Sequence, residues 1–173
     1  MAMRSAPLGL LRSQQEIIEK AEAHARMTHN SPAGIASAQA ASVIAHFFAY
    51  GLGKPKQLGR FIESAVPYRY KWGAPWRGKV GPSGIEAVHA AIYVLSKSTS
   101  LAQVLQESVV VTGDVDTVAA IAVAGAACSK EYQENLPKAL TSGLEDGKYG
   151  ATYLKSLAVM LLRFRDKAAM QLL

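Results

Sequence analysis

Ser31-Pro32-Ala33-Gly34-Ile35-Ala36-Ser37-Ala38-Gln39-Ala40-Ala41-Ser42-Val43-Ile44-Ala45-His46-Phe47-Phe48-Ala49-Tyr50-Gly51 is the stretch on which the fold turns. A serine hydroxyl suited to capping free amides precedes a proline whose fixed φ fits a first helical turn. Gly51 closes the run, so the segment reads as one helix from Ser31 to about Tyr50. Ala33, Ile35, Ala36, Ala38, Ala40, Ala41, Val43, Ile44, Phe47 and Phe48 leave it no fully polar face. A helix that is apolar on every side has to be surrounded by protein, so this is the expected centre of the molecule.

Outward from it, Ser13 and Glu16 have the spacing of a capping box, and Ile17, Ile18, Ala21 and Ala25 recur near the helical period, predicting a helix from about Gln14 to Met27. Leu58, Phe61, Ile62 and Ala65 mark a short amphipathic helix ending near Pro67. The aromatic, Gly- and Pro-rich stretch from Tyr68 to Pro82 reads as a long ordered loop. A second capping-box spacing, Ser83 to Glu86, opens a helix with Ile85, Val88, Ile92 and Leu95 on one face, and Ser100 starts another with Leu101, Val104 and Leu105. Thr117 to Cys128 is again small and apolar nearly all round and is expected to be buried. Lys130 to Lys148 is a polar connector with room for one short helix, before a final helix from about Ala151 to Lys167. The expectation is a compact, orthogonal all-α domain of six or seven helices formed by residues 1–173 as one unit, without repeats.

The composition agrees with a single core: 173 residues, 50% hydrophobic and 18% charged. A formal charge of +6 favours anionic partners through the summed field. The cations are spread along the chain with only a loose cluster from Arg60 to Lys79, so nucleic acid is not an expected partner. The lone cysteine, Cys128, has no partner for an internal disulfide and sits among alanines as a small hydrophobe, which fits a reducing, cytoplasmic setting. No apolar run reaches membrane-spanning length and no signal-type segment opens the chain, so no membrane association is expected.

Chemistry concentrates at Gly113-Asp114-Val115-Asp116-Thr117, where two carboxylates and a hydroxyl fall within four positions at a turn entering a helix. Magnesium favours such hard oxygen donors. The spacing also serves an aspartate that caps the helix by accepting its free amides, and on spacing alone the cap is the commoner outcome. Tyr68, Tyr70, Trp72 and Trp76, interleaved with Arg69, Lys71 and Arg77, suit either a stacking platform for a base or a plug of packed aromatics, the plug being the commoner outcome. His24, His46 and His89 lie within predicted helices with no second ligand at metal spacing and read as packing or surface residues.

Longer blocks carry a resemblance. Thr112 to Ala122, continuing to Gly125-Ala126, is similar to a G-D-T-D-T-x-A-A-I-A-G-A block, and Thr28-His29-Asn30-Ser31-Pro32 with Gly34-Ile35 and Ala38-Gln39-Ala40 is similar to a T-H-N-x-P signature and its alanine-rich helix. Ala2-Met3-Arg4 and Ala6-Pro7-Leu8-Gly9 resemble the end of a G-N-G-x-A-M-R-x-x-P-x-G loop, and more loosely Gly81 to Val88 and Leu136-Pro137 fit the same pattern. These blocks, in this order, resemble the magnesium-dependent ADP-ribosylglycohydrolase family, the group of dinitrogenase reductase activating glycohydrolase. The resemblance implies hydrolysis of an ADP-ribosyl N- or O-glycosidic bond, with a pair of magnesium ions about 4 Å apart polarising ribose hydroxyls and orienting water. Carried over by position, Asp114 and Asp116 are the catalytic carboxylates and, with Thr117, the metal ligands, while His29 contacts ADP-ribose, flanked by Met3, Arg4, Thr28 and Asn30. The helix N-terminus just after His29 suits a phosphate on physical grounds as well.

The family's G-D-x-x-G segment and its T-D-D-T metal block have no counterpart here, so the chain resembles the C-terminal part of the family fold, beginning inside the first loop. Glu145-Asp146, in a glycine-flanked connector, is a poor substitute, and Val115 stands where the family carries threonine. One magnesium ion or none is expected to be firmly held, and unaided catalysis should be feeble. Two central helices with few helices left to cover them call for association, as a homo-oligomer or with a complementing chain. Three readings follow: an enzyme completed by ligands from elsewhere, a non-catalytic binder of ADP-ribose or regulator of a full-length relative, and a helical remnant without a ligand site.

Overall fold

A computed structural model of the chain describes the backbone of residues 1–170 and the side chains of residues 1–166. The described residues form eight α-helices and three short 3-10 turns, with no strand beyond two isolated bridges. The chain divides into two compact units, Met1–Asn135 and the residues from Leu136 onward.

The first unit holds α1 (Gln14–Arg26), α2 (Pro32–Ala49), α3 (Leu58–Ala65), α4 (Gly84–Lys97), α5 (Leu101–Val110) and α6 (Val115–Ala127). Capping follows the expected serines at three starts: Ser13 accepts from the Glu16 amide, Ser31 from Gly34 and Ser100 from Gln103. The fourth differs. Ser83 stands at the N-cap of α4 without a side-chain bond, and Glu86 turns back to accept from the Gly81 amide at 2.7 Å, so the loop before the helix takes the carboxylate that a capping box would use.

Helix α2 is buried without a break from Ala36 to Phe48 and packs against α1, α3, α4, α6 and the 3-10 turns Ala2–Arg4 and Ala6–Leu10. Its apolar character on every side is thus answered by neighbours on every side. Small residues permit the close packing: a Cβ at Gly125 of α6 would stand 2.6 Å from Ile44 Cγ2. Aromatic edges complete the core, with Phe47 against Phe61 and Phe48 against Tyr132, whose hydroxyl donates to the Leu95 carbonyl at 2.8 Å.

One stripe of α2 is polar and was not foreseen. Ser42, His46 and Tyr50, one turn apart, reach the carbonyls of Ser5, Gly9 and Leu10 at 2.9, 3.1 and 2.7 Å. Backbone groups of the N-terminal turns need partners when buried, and these three side chains supply them, each bond contributing about 1 kcal/mol net. A Cβ at Gly9 would collide with the Ser42 carbonyl and the His46 amide, so only glycine lets the turn lie this close. The result fixes Met3 and Arg4 in place.

The loop from Tyr68 to Pro82 is anchored rather than open. Trp72 is fully buried, Tyr70 packs on it at 4.8 Å between ring centroids, and His89 of α4 reaches the Ala74 carbonyl at 2.6 Å and the Tyr70 hydroxyl at 3.3 Å. Its aromatics plug the fold, and His89 is the pin.

Helix α6 begins at Val115, two residues earlier than predicted, and buries only the face of Val118, Ile121, Ala122, Gly125 and Ala126. Ala119, Ala120, Val123 and Ala124 stay partly open, so the expectation of a wholly buried helix holds for one face alone.

The second unit contains α7 (Ala139–Ser142) and α8 (Ala151–Met170), which brings the helix count one above the predicted range. Asp146 starts α8 by accepting from the Thr152 amide and hydroxyl, each at 2.7 Å. No helix among the described residues is long and apolar enough to cross a membrane.

Candidate functional site

The turn before α6 is built from an unusual backbone. Thr112 (φ 58°) and Gly113 (φ 87°) both occupy positive φ, a conformation that glycine adopts freely and a β-branched residue adopts at a cost of order 1–3 kcal/mol. Asp114 follows at φ −76°, ψ 61°, and the Val115 amide donates to the Gly113 carbonyl at 2.9 Å, which makes Asp114 the centre of an inverse γ-turn. The strained segment is pinned from outside. The Val80 amide donates to Thr112 and the Val80 carbonyl accepts from Asp114, both at 3.1 Å, and a Cβ at Gly113 would run into that same carbonyl.

This backbone decides what the carboxylates do. Asp114 occupies the N-cap position of α6 yet makes no side-chain cap bond. Its carboxylate lies beside that of Asp116, two positions on in the first turn. A proton offered by the Asp114 carboxyl, and then the backbone amides of Asp116 and Thr117, hold the Asp116 carboxyl below the usual carboxylate range. Two carboxylates drawn together at an exposed helix start, with the Thr117 hydroxyl in the same turn, make a hard-oxygen set that a small divalent cation suits. Among the described residues no third acidic, histidine or cysteine side chain joins them. A cleft of about 670 Å³ opens beside Asp114, walled by Lys79, Val80, Gly81, Pro82 and Gly113.

The other sequence-selected residues gather around the turn Ala2–Arg4, which packs on both α2 and α6. On one side Thr117 Oγ1 lies 4.0 Å from Met3 Sδ. On the other, Arg4 donates to the Thr28 hydroxyl at 2.9 Å, and Thr28 Oγ1 lies 2.9 Å from His29 Nδ1. Arginine only donates, so Thr28 accepts from it and has one proton left to offer. Given to His29 Nδ1, that proton leaves the imidazole hydrogen on Nε2, on an exposed ring at the mouth of α2. The His29 backbone is fixed as well, because a Cβ at Gly34 would stand 2.5 Å from its carbonyl oxygen. Asn30 does not join this chain; its side chain accepts from Arg26 at 2.9 Å.

His24 sits behind the cluster, its Nδ1 buried without a partner, and burial followed by the Arg4 charge pushes its pKa down. The Met1 ammonium feels both Arg4 and Asp114, which places the two halves of the cluster within electrostatic reach of one group. Val80 and Lys79 are the members that sequence reading missed. Neither type signals a role, and only the pairing of a Gly-Pro loop with a Thr-Gly turn, distant in the chain, brings them in.

The chain matches the model of the ADP-ribosylglycohydrolase family over residues 1–169. No curated protein and no solved structure matches it. That match spans nearly the whole sequence, including both blocks that converge on the Ala2–Arg4 turn, and the chain belongs to the ADP-ribosylglycohydrolase family.

Proposed function

We propose that the chain acts in hydrolysis of an ADP-ribosyl N- or O-glycosidic bond, with Asp114, Asp116 and Thr117 as a magnesium half-site. The observation that supports this reading most is the Asp114 carboxylate: it makes no cap bond at the N-cap of α6 and lies beside the Asp116 carboxylate at an exposed turn. The three donors fit the ion in kind, all hard oxygen, but they fill only part of the six-oxygen shell that magnesium prefers. A bound magnesium ion supplies charge that polarises ribose hydroxyls and lowers the pKa of water.

What the chain's own residues do is positional. Asp114 and Asp116 present two negative charges and accept hydrogen bonds from ribose hydroxyls. The Val80 bridge holds the Asp114 backbone in the turn before α6. His29, its Nδ1 at hydrogen-bond distance from the Thr28 hydroxyl, presents an exposed ring beside the N-terminal amides of α2, an arrangement suited to a phosphate oxygen. Arg4 holds Thr28 and adds positive charge for the pyrophosphate. Met3 packs against Thr117 and spaces the two halves.

The remaining magnesium ligands are supplied by a further segment or a second chain carrying paired aspartates. Release of ADP-ribose from an ADP-ribosylated substrate is measured with magnesium, for the chain alone and with a T-D-D-T-bearing segment added. Release in the second case supports the reading, and none in either case overturns it. The absence of a third ligand among the described residues favours one alternative, a binder of ADP-ribose without turnover. Calorimetry separates them: no heat of ADP-ribose binding, with or without magnesium, removes that alternative. A single half-buried thiol, Cys128, is in keeping with a cytoplasmic setting.

A further inference from the structure

From Ser64 to Ile85 the chain carries four cations, Arg69, Lys71, Arg77 and Lys79, and no acid. All four are exposed, and among the described residues none of their side chains has an ion-pair or hydrogen-bond partner. The two carboxylates that flank the segment are taken by backbone: Glu63 accepts from the Gly73 amide at 2.9 Å and Glu86 from the Gly81 amide at 2.7 Å. Lysines elsewhere in the unit find acids, Lys54 in Glu131 and Lys97 in Glu107.

The backbone that presents these charges is held. Trp72 is fully buried, and the Trp76 indole packs on His89 with ring centroids 5.5 Å apart and donates to the Gly78 carbonyl at 3.0 Å. Gly59 of α3 lets the loop lie against the helix, since a Cβ there would stand 2.3 Å from Gly73 Cα. A charged segment fixed in advance loses less conformational freedom on binding than a free one. At its C-terminal end the loop meets the candidate site, where Lys79 and Val80 wall the cleft of about 670 Å³ beside Asp114. Further back, Arg69 and Lys71 line a second cleft of about 650 Å³ with Tyr70 and His89. The Cα atoms of Lys71 and Lys79 lie within roughly 28 Å of each other, the reach of about eight extended residues.

A basic, pre-formed strip that ends at the Asp114 turn suits an acidic segment of a protein that carries the ADP-ribosyl group. Nucleic acid suits it less. Single strands are held largely by bases stacked on aromatic faces, and here Trp72 is buried while the rings of Tyr70 and Trp76 are turned onto His89. We propose that the loop from Arg69 to Lys79 is a docking surface for an acidic peptide segment of the ADP-ribosylated substrate, leading it to the cleft beside Asp114. This rests on the function proposed above, which sets the ADP-ribosyl bond at Asp114 and Asp116. The loop offsets the repulsion that those carboxylates exert on an acidic partner, and the formal charge of +6 steers such a partner from a distance.

Fluorescence anisotropy of the full chain tests this with labelled peptides of about eight residues, one rich in glutamate, one rich in lysine and one neutral. The acidic peptide should bind best, and its affinity should fall about 10-fold between roughly 50 and 300 mM salt, as the screening length shrinks. Lys71→Glu with Lys79→Glu should weaken it about 10-fold at low salt, and Lys71→Gln with Lys79→Gln about 3-fold, while Lys71→Arg with Lys79→Arg stays near the parent. Lys130→Glu, the same change of net charge off the loop, should alter it by less than about 2-fold. Circular dichroism establishes that each variant scored is folded. No preference for the acidic peptide, an equal loss from Lys130→Glu, or tighter binding of a single-stranded DNA octamer overturns the proposal. Free ADP-ribose is titrated alongside. ADP-ribose bound while peptide charge makes no difference removes the docking surface alone. Acidic peptide bound through Lys71 and Lys79 while ADP-ribose is not bound keeps the surface and removes the function.

Discussion

Two helix starts meet the Ala2–Arg4 turn, and they are finished in opposite ways. At α2, Ser31 accepts from the Gly34 amide at 3.1 Å and Pro32 fills the first position, so the helix end is satisfied by its own sequence. At α6 the equivalent position holds Asp114, a residue as good at capping as serine, and the cap bond is not made. The difference lies in the backbone before each helix. Ser31 is extended, whereas Asp114 sits in a γ-turn behind two residues of positive φ, tied to Val80. One end is closed by its own side chain; the other leaves the Asp114 carboxylate off the helix amides.

Breaking the device that separates them should have the largest effect. Gly113→Ala forces a Cβ into the Val80 carbonyl at a positive φ, and a loss of about 2–4 kcal/mol in unfolding free energy is expected. Chemical denaturation checks this, and a variant within 1 kcal/mol of the parent would show that the Val80 bridge does not constrain the turn. Ser31→Ala should cost about 1 kcal/mol, the value of an ordinary cap.

A smaller effect concerns the turn between the two starts. His46, buried under Gly9, has its pKa lowered chiefly by burial, against which its bonds to the Gly9 and Leu11 carbonyls act. The folded state therefore binds fewer protons than the unfolded chain, whose histidine titrates near 6.5. Stability is full above that value and is lost as pH falls below it toward the folded pKa. The melting temperature should drop between pH 7 and pH 5, with His24 acting in the same direction. His46→Asn keeps a donor toward Gly9 and should lessen the slope; an unchanged slope would assign the effect elsewhere.

The hydrogen-bond chain on the α2 side gives a finer test. With Thr28 held by Arg4 and donating to His29 Nδ1, nitrogen chemical shifts of the imidazole should show the Nε2–H tautomer in the parent and in Thr28→Ser. Thr28→Val should relax it toward the mixture of a free histidine. Equal spectra in all three would remove Thr28 from any positioning role.

Much of this was readable from residues alone. Helix α2 announced itself because a hydroxyl, a proline and a long apolar run act locally, and those forces decide helix ends. The carboxylates and His29 were singled out by their blocks. What escaped detection depends on contacts distant in the chain. The stripe of Ser42, His46 and Tyr50 looked like scattered polar residues in an apolar helix until the N-terminal turns lay on it. The misread box at Ser83 shows the same limit, because the spacing is local but Glu86 found a nearer donor in Gly81. Asp114 is the sharpest case. Its spacing was compatible with a cap or a ligand, and only the pairing of Gly113 with Val80, more than thirty residues earlier in the chain, decided that the side chain stays off the helix amides.

That decision yields the smallest expected change in stability and the most informative one. If Asp114 capped α6, Asp114→Asn would keep most of the cap and Asp114→Ala would cost about 1 kcal/mol, as Ser31→Ala does. Because it makes no cap bond and is partly exposed, both variants should lie within about 0.5 kcal/mol of the parent. Magnesium should separate them from the parent more clearly than denaturant does. The parent should gain thermal stability from magnesium above the acid range in which Asp116 takes up its proton, and both variants should lose that gain, whereas Ser31→Ala keeps it. An Asp114→Ala chain destabilised like Ser31→Ala and still stabilised by magnesium would make the two helix starts alike, and the carboxylate an ordinary cap.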